Sequence, residues 1–165
     1  MDKTNFDQTF VAIGAIIQRE GKILLVKESD GPNKDKWNIP GGSWERGETL
    51  IEGVKREVKE ETGFDFEPTS ILGIFSRFRH RPSLSITAME ILFIGDIFGK
   101  PEDLSEDITE TKFFTPNEIY NMDKDELYGL YIIEAIRNFT GGKEYPLEMI
   151  NHSEITEPDF KDDGL

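Results

Sequence analysis

The chain has 165 residues, and 33 acidic against 19 basic side chains leave a formal charge of −14 with both histidines neutral. At this length a folded domain buries roughly 70% of the surface its unfolded chain exposes, so one substantial core is expected and a second is not. The absence of cysteine excludes disulfide scaffolds, thiol nucleophiles and cysteine-ligated zinc or iron–sulfur centres.

From the N-terminus, Phe10 to Gln18 is an apolar run rich in β-branched residues, Glu20-Gly21 supplies turn chemistry, and Lys22 to Lys27 contains Ile23, Leu24, Leu25 and Val26. This pattern predicts a β-hairpin. Glu28 to Lys36 is polar and reads as a loop that leads into Trp37-Asn38-Ile39-Pro40-Gly41-Gly42. Thr49 to Thr62 carries the strongest helix signal: Thr49 and Glu52 form a capping-box pair, Leu50, Val54 and Val58 recur at four-residue spacing, and Gly63 suits the position after the last turn. Ser70 to Arg79 and Ser85 to Phe98 are strand candidates, and Lys112-Phe113-Phe114 is a third short one. Thr115-Pro116-Asn117-Glu118 is a helix start, and Asp125 to Phe139 predicts an amphipathic helix stopped by Gly141-Gly142. The order strands, helix, strands, helix lacks regular βαβ alternation, so the expected architecture is α/β, with helices packed on a mixed sheet. Residues 1–150 read as one domain, and 151–165 as an acidic tail poor in apolar residues.

Chemistry concentrates on the Thr49 helix. At ~100° per residue, Glu57, Glu60 and Glu61 share an arc of about 100° that adjoins the apolar arc of Leu50, Val54 and Val58. Such carboxylates repel one another by a few tenths of a kcal/mol per pair. A solvated acidic face is one explanation; a divalent cation that supplies the missing charge is the other. With only His80 and His152 available and far apart, a metal would be held by oxygen, which favours Mg²⁺, Mn²⁺ or Ca²⁺. Gly41 and Gly42, just ahead of the helix, permit close approach of backbone to a metal or phosphate.

Gly42, five residues, Glu48, seven residues, then Arg56-Glu57-Val58-Lys59-Glu60-Glu61-Thr62-Gly63-Phe64 resembles a complete Nudix box, with all nine fixed positions filled over 23 residues. Trp37-Asn38-Ile39-Pro40 and the opening hairpin are similar to that family too, so the resemblance spans Phe10 to Phe139. It implies a Nudix-type α/β/α sandwich and Mg²⁺-dependent hydrolysis of a phosphoanhydride, with Mn²⁺ as an alternative metal. Glu57, Glu60 and Glu61 match the family's metal ligands, and Gly41 matches a glycine whose carbonyl can join them. Arg56 and Glu48 match positions that orient the glutamates and fix loop to helix, a role that is structural for Glu48 as much as catalytic; Gly42 and Gly63 fill structural positions of the box. Glu60 or Glu61 is the expected general base, Glu57 the alternative. Glu110 resembles a distal acid of the family, with Asp107 next; a solvated loop acid is the competing reading.

For substrate, Arg77, Arg79 and Arg81 alternate and so share one strand face, where they would meet phosphates or lie across a nucleobase, or else guard an exposed edge. Trp37, Trp44, Phe75 and Phe78 are candidates to stack a base, or are core. The segment Gly142 to Ile150 resembles the C-terminal part of NudJ-type nucleoside phosphate phosphatases within the family. The expected substrate is therefore a nucleoside di- or triphosphate, the alternatives being ADP-ribose or another nucleoside diphosphate sugar, or a nucleotide sensor without turnover. The negative charge speaks against nucleic acid and membrane as partners. A cytoplasmic location is expected from the lack of a signal-type N-terminus and of an apolar run near ~18 residues, and a monomer or homodimer is expected.

Overall fold

The computed structural model describes the backbone of residues 8–29, 31–81 and 84–153, and side chains throughout these except at 8, 32, 78–81 and 84–86. Seven strands among the described residues form one mixed sheet: β1 (Gln8–Arg19), β2 (Lys22–Glu28), β3 (Trp37–Asn38), β4 (Gly41–Ser43), β5 (Asp65–Arg81), β6 (Leu84–Phe98) and β7 (Ile108–Phe114). The order is β3-β2-β1-β6-β5, with β4 added to β1 and β7 to β2.

The opening hairpin is shorter than its sequence suggests. Glu20 and Gly21 take φ of 50° and 75°, the positive pair that a tight primed turn requires, but only Gln18↔Ile23 and Arg19↔Lys22 pair across it. From Ile17 back to Gln8, β1 runs parallel to β6 instead. Its unbroken apolar run explains why, because a central strand covered on both faces needs apolar side chains on both. Ile13, Ala15 and Ile17 point to one buried cluster and Ile16 to the other. On β2, Leu24 joins the first cluster, and Ile23 and Leu25 the second.

Helix α1 (Leu50–Thr62) covers the first face. Thr49 accepts from the Glu52 amide while the Glu52 side chain accepts from the Thr49 amide, so the predicted capping box is present, and the helix ends at Gly63 with φ 74°. Val54 and Val58 face the sheet fully buried. The second face is covered by α2 (Pro116–Tyr120), capped as expected by Thr115 and Glu118, and by α3 (Tyr131–Thr140). The result is the expected α/β/α layering around a mixed sheet.

Helix α3 starts six residues later than the periodicity from Asp125 predicts. The Trp37 amide donates to the Glu126 carbonyl at 2.7 Å, and the Tyr128 amide donates to the Trp37 carbonyl at 2.9 Å. Leu127 is thereby drawn into the core as an extension of β3. Its apolar side chain fits a helical face and a strand equally, and the neighbouring backbone decides between them. After α3, Tyr145 and Ile71 exchange two backbone hydrogen bonds of 2.8 Å and close part of the β5 edge, while Leu147 and Ile150 pack on the α1 side. Asn151 to Ser153 are exposed; the rest of the acidic tail, 154–165, lies outside the described residues.

Candidate active site

Helix α1 and strand β4 build the acidic centre together. Arg56 is its hub: Nε and Nη2 donate to the two oxygens of Glu48 at 3.0 and 2.8 Å, Nη1 to Glu57 at 2.8 Å, and Nη2 also to the Ser43 carbonyl at 3.1 Å. Glu60 lies 3.4 Å from Nη1, with half of its side chain exposed. This fork-to-fork geometry is specific to a guanidinium, and it fastens the β4 loop to the helix as expected for Glu48.

Two glycines make the approach possible. A Cβ on Gly42 would lie 2.5 Å from the Glu57 carboxylate, so this carboxylate rests where a side chain would stand. At Gly41, φ is 153° and a Cβ would run into the Ile13 carbonyl. The Gly41 amide donates to Glu61 at 2.8 Å.

Charge in this centre is unbalanced. Six carboxylates gather there, Glu28, Glu48, Glu57, Glu60, Glu61 and Asp107, and Arg56 meets three of them. Burial pushes the Glu61 carboxyl up to about 9, against the pull of the Gly41 amide, and the fields of Glu28, Glu57 and Asp107 add to the rise. Glu57 is also raised, by burial, despite its bond to Arg56. The Arg56 hydrogen bonds instead hold Glu48 below the usual carboxylate range. Crowded hard oxygens whose ionisation is resisted suit a divalent cation by chemistry. Among the described residues, no three acidic or histidine side chains surround one point as they stand. Glu57 is turned to Arg56 and Glu60 to solvent.

A groove of about 1570 Å³ starts at Gly41, Gly42 and Ser43 beside this centre and runs across the α3 face of the sheet, past Glu90 and Arg77, to Tyr128, Leu130 and Tyr131. Of the three predicted arginines, Arg77 has its side chain among the described residues. It contacts Glu90 at 2.7 Å and stacks on Tyr131, 4.1 Å from the ring centroid, with 30% of its side chain exposed to the groove. The side chains of Arg79, Arg81 and Phe78 lie outside the described residues.

Two expected site residues sit elsewhere. Trp37 is 6% exposed and packs edge-on against Phe114 at 4.8 Å with Lys27 over its ring, so its faces belong to the core and not to a base. Glu110 projects from β7 opposite Lys27, 3.8 Å from its ammonium, on the face that carries Trp37. Asp107, the second choice as distal acid, is the one whose field reaches Glu61. Of the remaining aromatic candidates, Phe75 is core at the groove floor and Trp44 is exposed, bonded to the Glu48 carbonyl.

Glu28 and Glu90 were not singled out from the sequence. Glu90 has a usable signal, a lone carboxylate in the apolar strand Ala88-Met89-Glu90-Ile91-Leu92-Phe93. Glu28 has none, since it ends an apolar strand just where a polar loop begins.

Comparison with known proteins gives consistent results. The NUDIX domain profile matches residues 8–134. The chain is 38% identical over 109 residues to a protein named ADP-ribose pyrophosphatase from Methanocaldococcus jannaschii; the match covers 66% of this chain and 63% of that protein, under two thirds of its length. It is 30% identical over 141 residues to phosphatase NudJ of Escherichia coli K12, covering 85% of this chain and 89% of that one. Among solved structures, a NUDIX hydrolase from Nitrosomonas europaea superposes with a TM-score of 0.81 at 28% identity, covering 88% of this chain and 98% of that one.

Proposed function

The chain belongs to the Nudix hydrolase family, and from that premise we propose that it hydrolyses the phosphoanhydride bonds of nucleoside di- and triphosphates with Mg²⁺, or Mn²⁺ in its place. The observation that carries this reading is the groove that joins the acidic centre at Gly42 to the Arg77 end. Phosphates enter at Gly42 and Ser43, and the nucleoside lies toward Arg77, whose guanidinium is held flat on Tyr131.

Glu57, Glu60 and Glu61, with the Gly41 carbonyl, would hold the cation, and Asp107 and Glu28 add to its attraction. Bound there, a divalent ion neutralises phosphate oxygens and makes water a better nucleophile. Arg56 keeps the Glu57 carboxylate at Gly42 and so fixes one wall of the centre. Glu60 or Glu61 takes the proton of the attacking water, with Glu57, bonded more tightly to Arg56 at 2.8 Å, the alternative. The enzyme is cytoplasmic on this reading; no helix among the described residues is long and apolar enough to cross a membrane. The domain of residues 1–150 includes the Gly142 to Ile150 segment, whose Lys143, Tyr145 and Met149 line the groove rim.

Cleavage of ADP-ribose is the second reading, favoured by the 38% identity to the archaeal pyrophosphatase. A panel of nucleoside di- and triphosphates and ADP-ribose, incubated with Mg²⁺ and resolved by product, separates the two. Orthophosphate or pyrophosphate released from the nucleotides is the expected result. Preferred formation of AMP and ribose phosphate from ADP-ribose would replace the main reading with the second.

A further inference from the structure

A buried polar chain runs from the groove at Arg77 toward the acidic centre. At its groove end Arg77 contacts Glu90, which is 94% buried given its 6% exposure. The Arg77 guanidinium also lies on the Tyr131 ring, 4.1 Å from its centroid, and the Tyr131 hydroxyl donates to Asn38 Oδ1 at 2.7 Å. Asn38 Nδ2 then donates to Glu28 at 3.2 Å, and Glu28 exerts the largest acidic field on Glu61.

The sense of each bond is fixed by elimination. The Ile39 amide donates to the same Asn38 oxygen at 2.9 Å. A backbone amide can only donate, so the atom facing it is the oxygen, and the nitrogen must face Glu28. That oxygen in turn can only accept, so Tyr131 gives its single hydrogen to Asn38. Tyr131 and Asn38 thus have fixed roles, and in a low-dielectric interior their bonds reinforce one another.

We infer that Asn38 and Tyr131 are positioning residues: they hold Glu28 on the side of the acidic centre and tie its placement to Arg77, which lies on the Tyr131 ring in the groove. A substrate whose nucleoside end engages Arg77 thereby sets the geometry of carboxylates at the other end, so the fit of that end governs turnover as well as binding. The kinetic part rests on the hydrolase reading above; the grip on Glu28 does not.

Two measurements test it. In a crystal structure of Asn38→Leu, the Glu28 carboxylate is expected to leave its place beside Glu61; a Glu28 that stays overturns the inference. In steady-state kinetics with the best nucleotide of the panel, Tyr131→Phe should lower kcat at least about fivefold while KM stays within about twofold, and Tyr131→Phe combined with Glu28→Gln should be no slower than the slower single variant. Multiplying effects would show independent residues and overturn the inference even if Glu28 moves. A wild-type protein that turns over no nucleotide defeats the hydrolase reading instead, and the Asn38→Leu structure then decides the grip by itself.

Discussion

Arg56 grips both oxygens of Glu48 from eight residues further along the chain, at 2.8 and 3.0 Å, and with the same guanidinium holds Glu57 at 2.8 Å. One side chain thus closes the β4 loop onto α1 and orients a carboxylate of the acidic centre. Arg56→Lys keeps the charge but loses the fork. It should lower stability by about 1–3 kcal/mol, as loss of charge-assisted bonds does, and kcat by at least about tenfold. Thermal unfolding and steady-state assays check both; wild-type values would remove Arg56 from the centre's architecture.

Glu61, a metal ligand on the proposed reading, opposes stability as the pH rises. Its folded-state carboxyl, raised to about 9, stands above the ordinary value of 4.5. A raised group holds its full stabilising contribution below the lower value and loses it as pH climbs through the higher one. Metal-free protein should therefore lose stability between about pH 4.5 and 9, by at most about 1.4 kcal/mol per pH unit for this one proton. Glu61→Gln should flatten that slope and melt higher at pH 8, while cutting turnover at least about 100-fold. Melting curves across pH that are parallel for the two proteins would contradict the account.

Binding of a divalent cation should expel the proton that Glu61 carries at neutral pH. Calorimetric titration with Mn²⁺ at pH 7 in buffers of different ionisation enthalpy should show about one proton released per site, and affinity should rise with pH up to about 9. Buffer-independent heats would mean that Glu61 is not a ligand.

The two distal acids make opposite predictions. Asp107→Asn removes a charge felt by Glu61 and should weaken Mn²⁺ binding about tenfold or more, whereas Glu110→Gln, on the far face with Lys27, should leave turnover within about threefold. The reverse ranking would restore Glu110 as the distal acid.

Gly42→Ala places a methyl 2.5 Å from the Glu57 carboxylate. The carboxylate must swing away, so kcat should fall at least about tenfold with little change in melting temperature. A structure of the variant with Glu57 unmoved would refute this.

By itself the sequence determined the α1 helix, both of its ends, the cap at Thr115 and the identity of the acidic residues on α1, because caps, four-residue apolar spacing and the Nudix-box pattern are local signals. It also determined that the sheet is mixed and carries helices on its faces. Only the tertiary structure decided the partners. Two-face burial shortened the predicted hairpin and made the rest of β1 a central strand parallel to β6, and backbone bonds to Trp37 drew Leu127 out of the predicted helix. The same packing buried Trp37, sent Glu110 to the far face, and brought Asp107 and Glu28 toward Glu61. Which face a strand residue shows, and which distant carboxylate it then meets, depends on register across chain separations of tens of residues. Local pattern carries no record of that register.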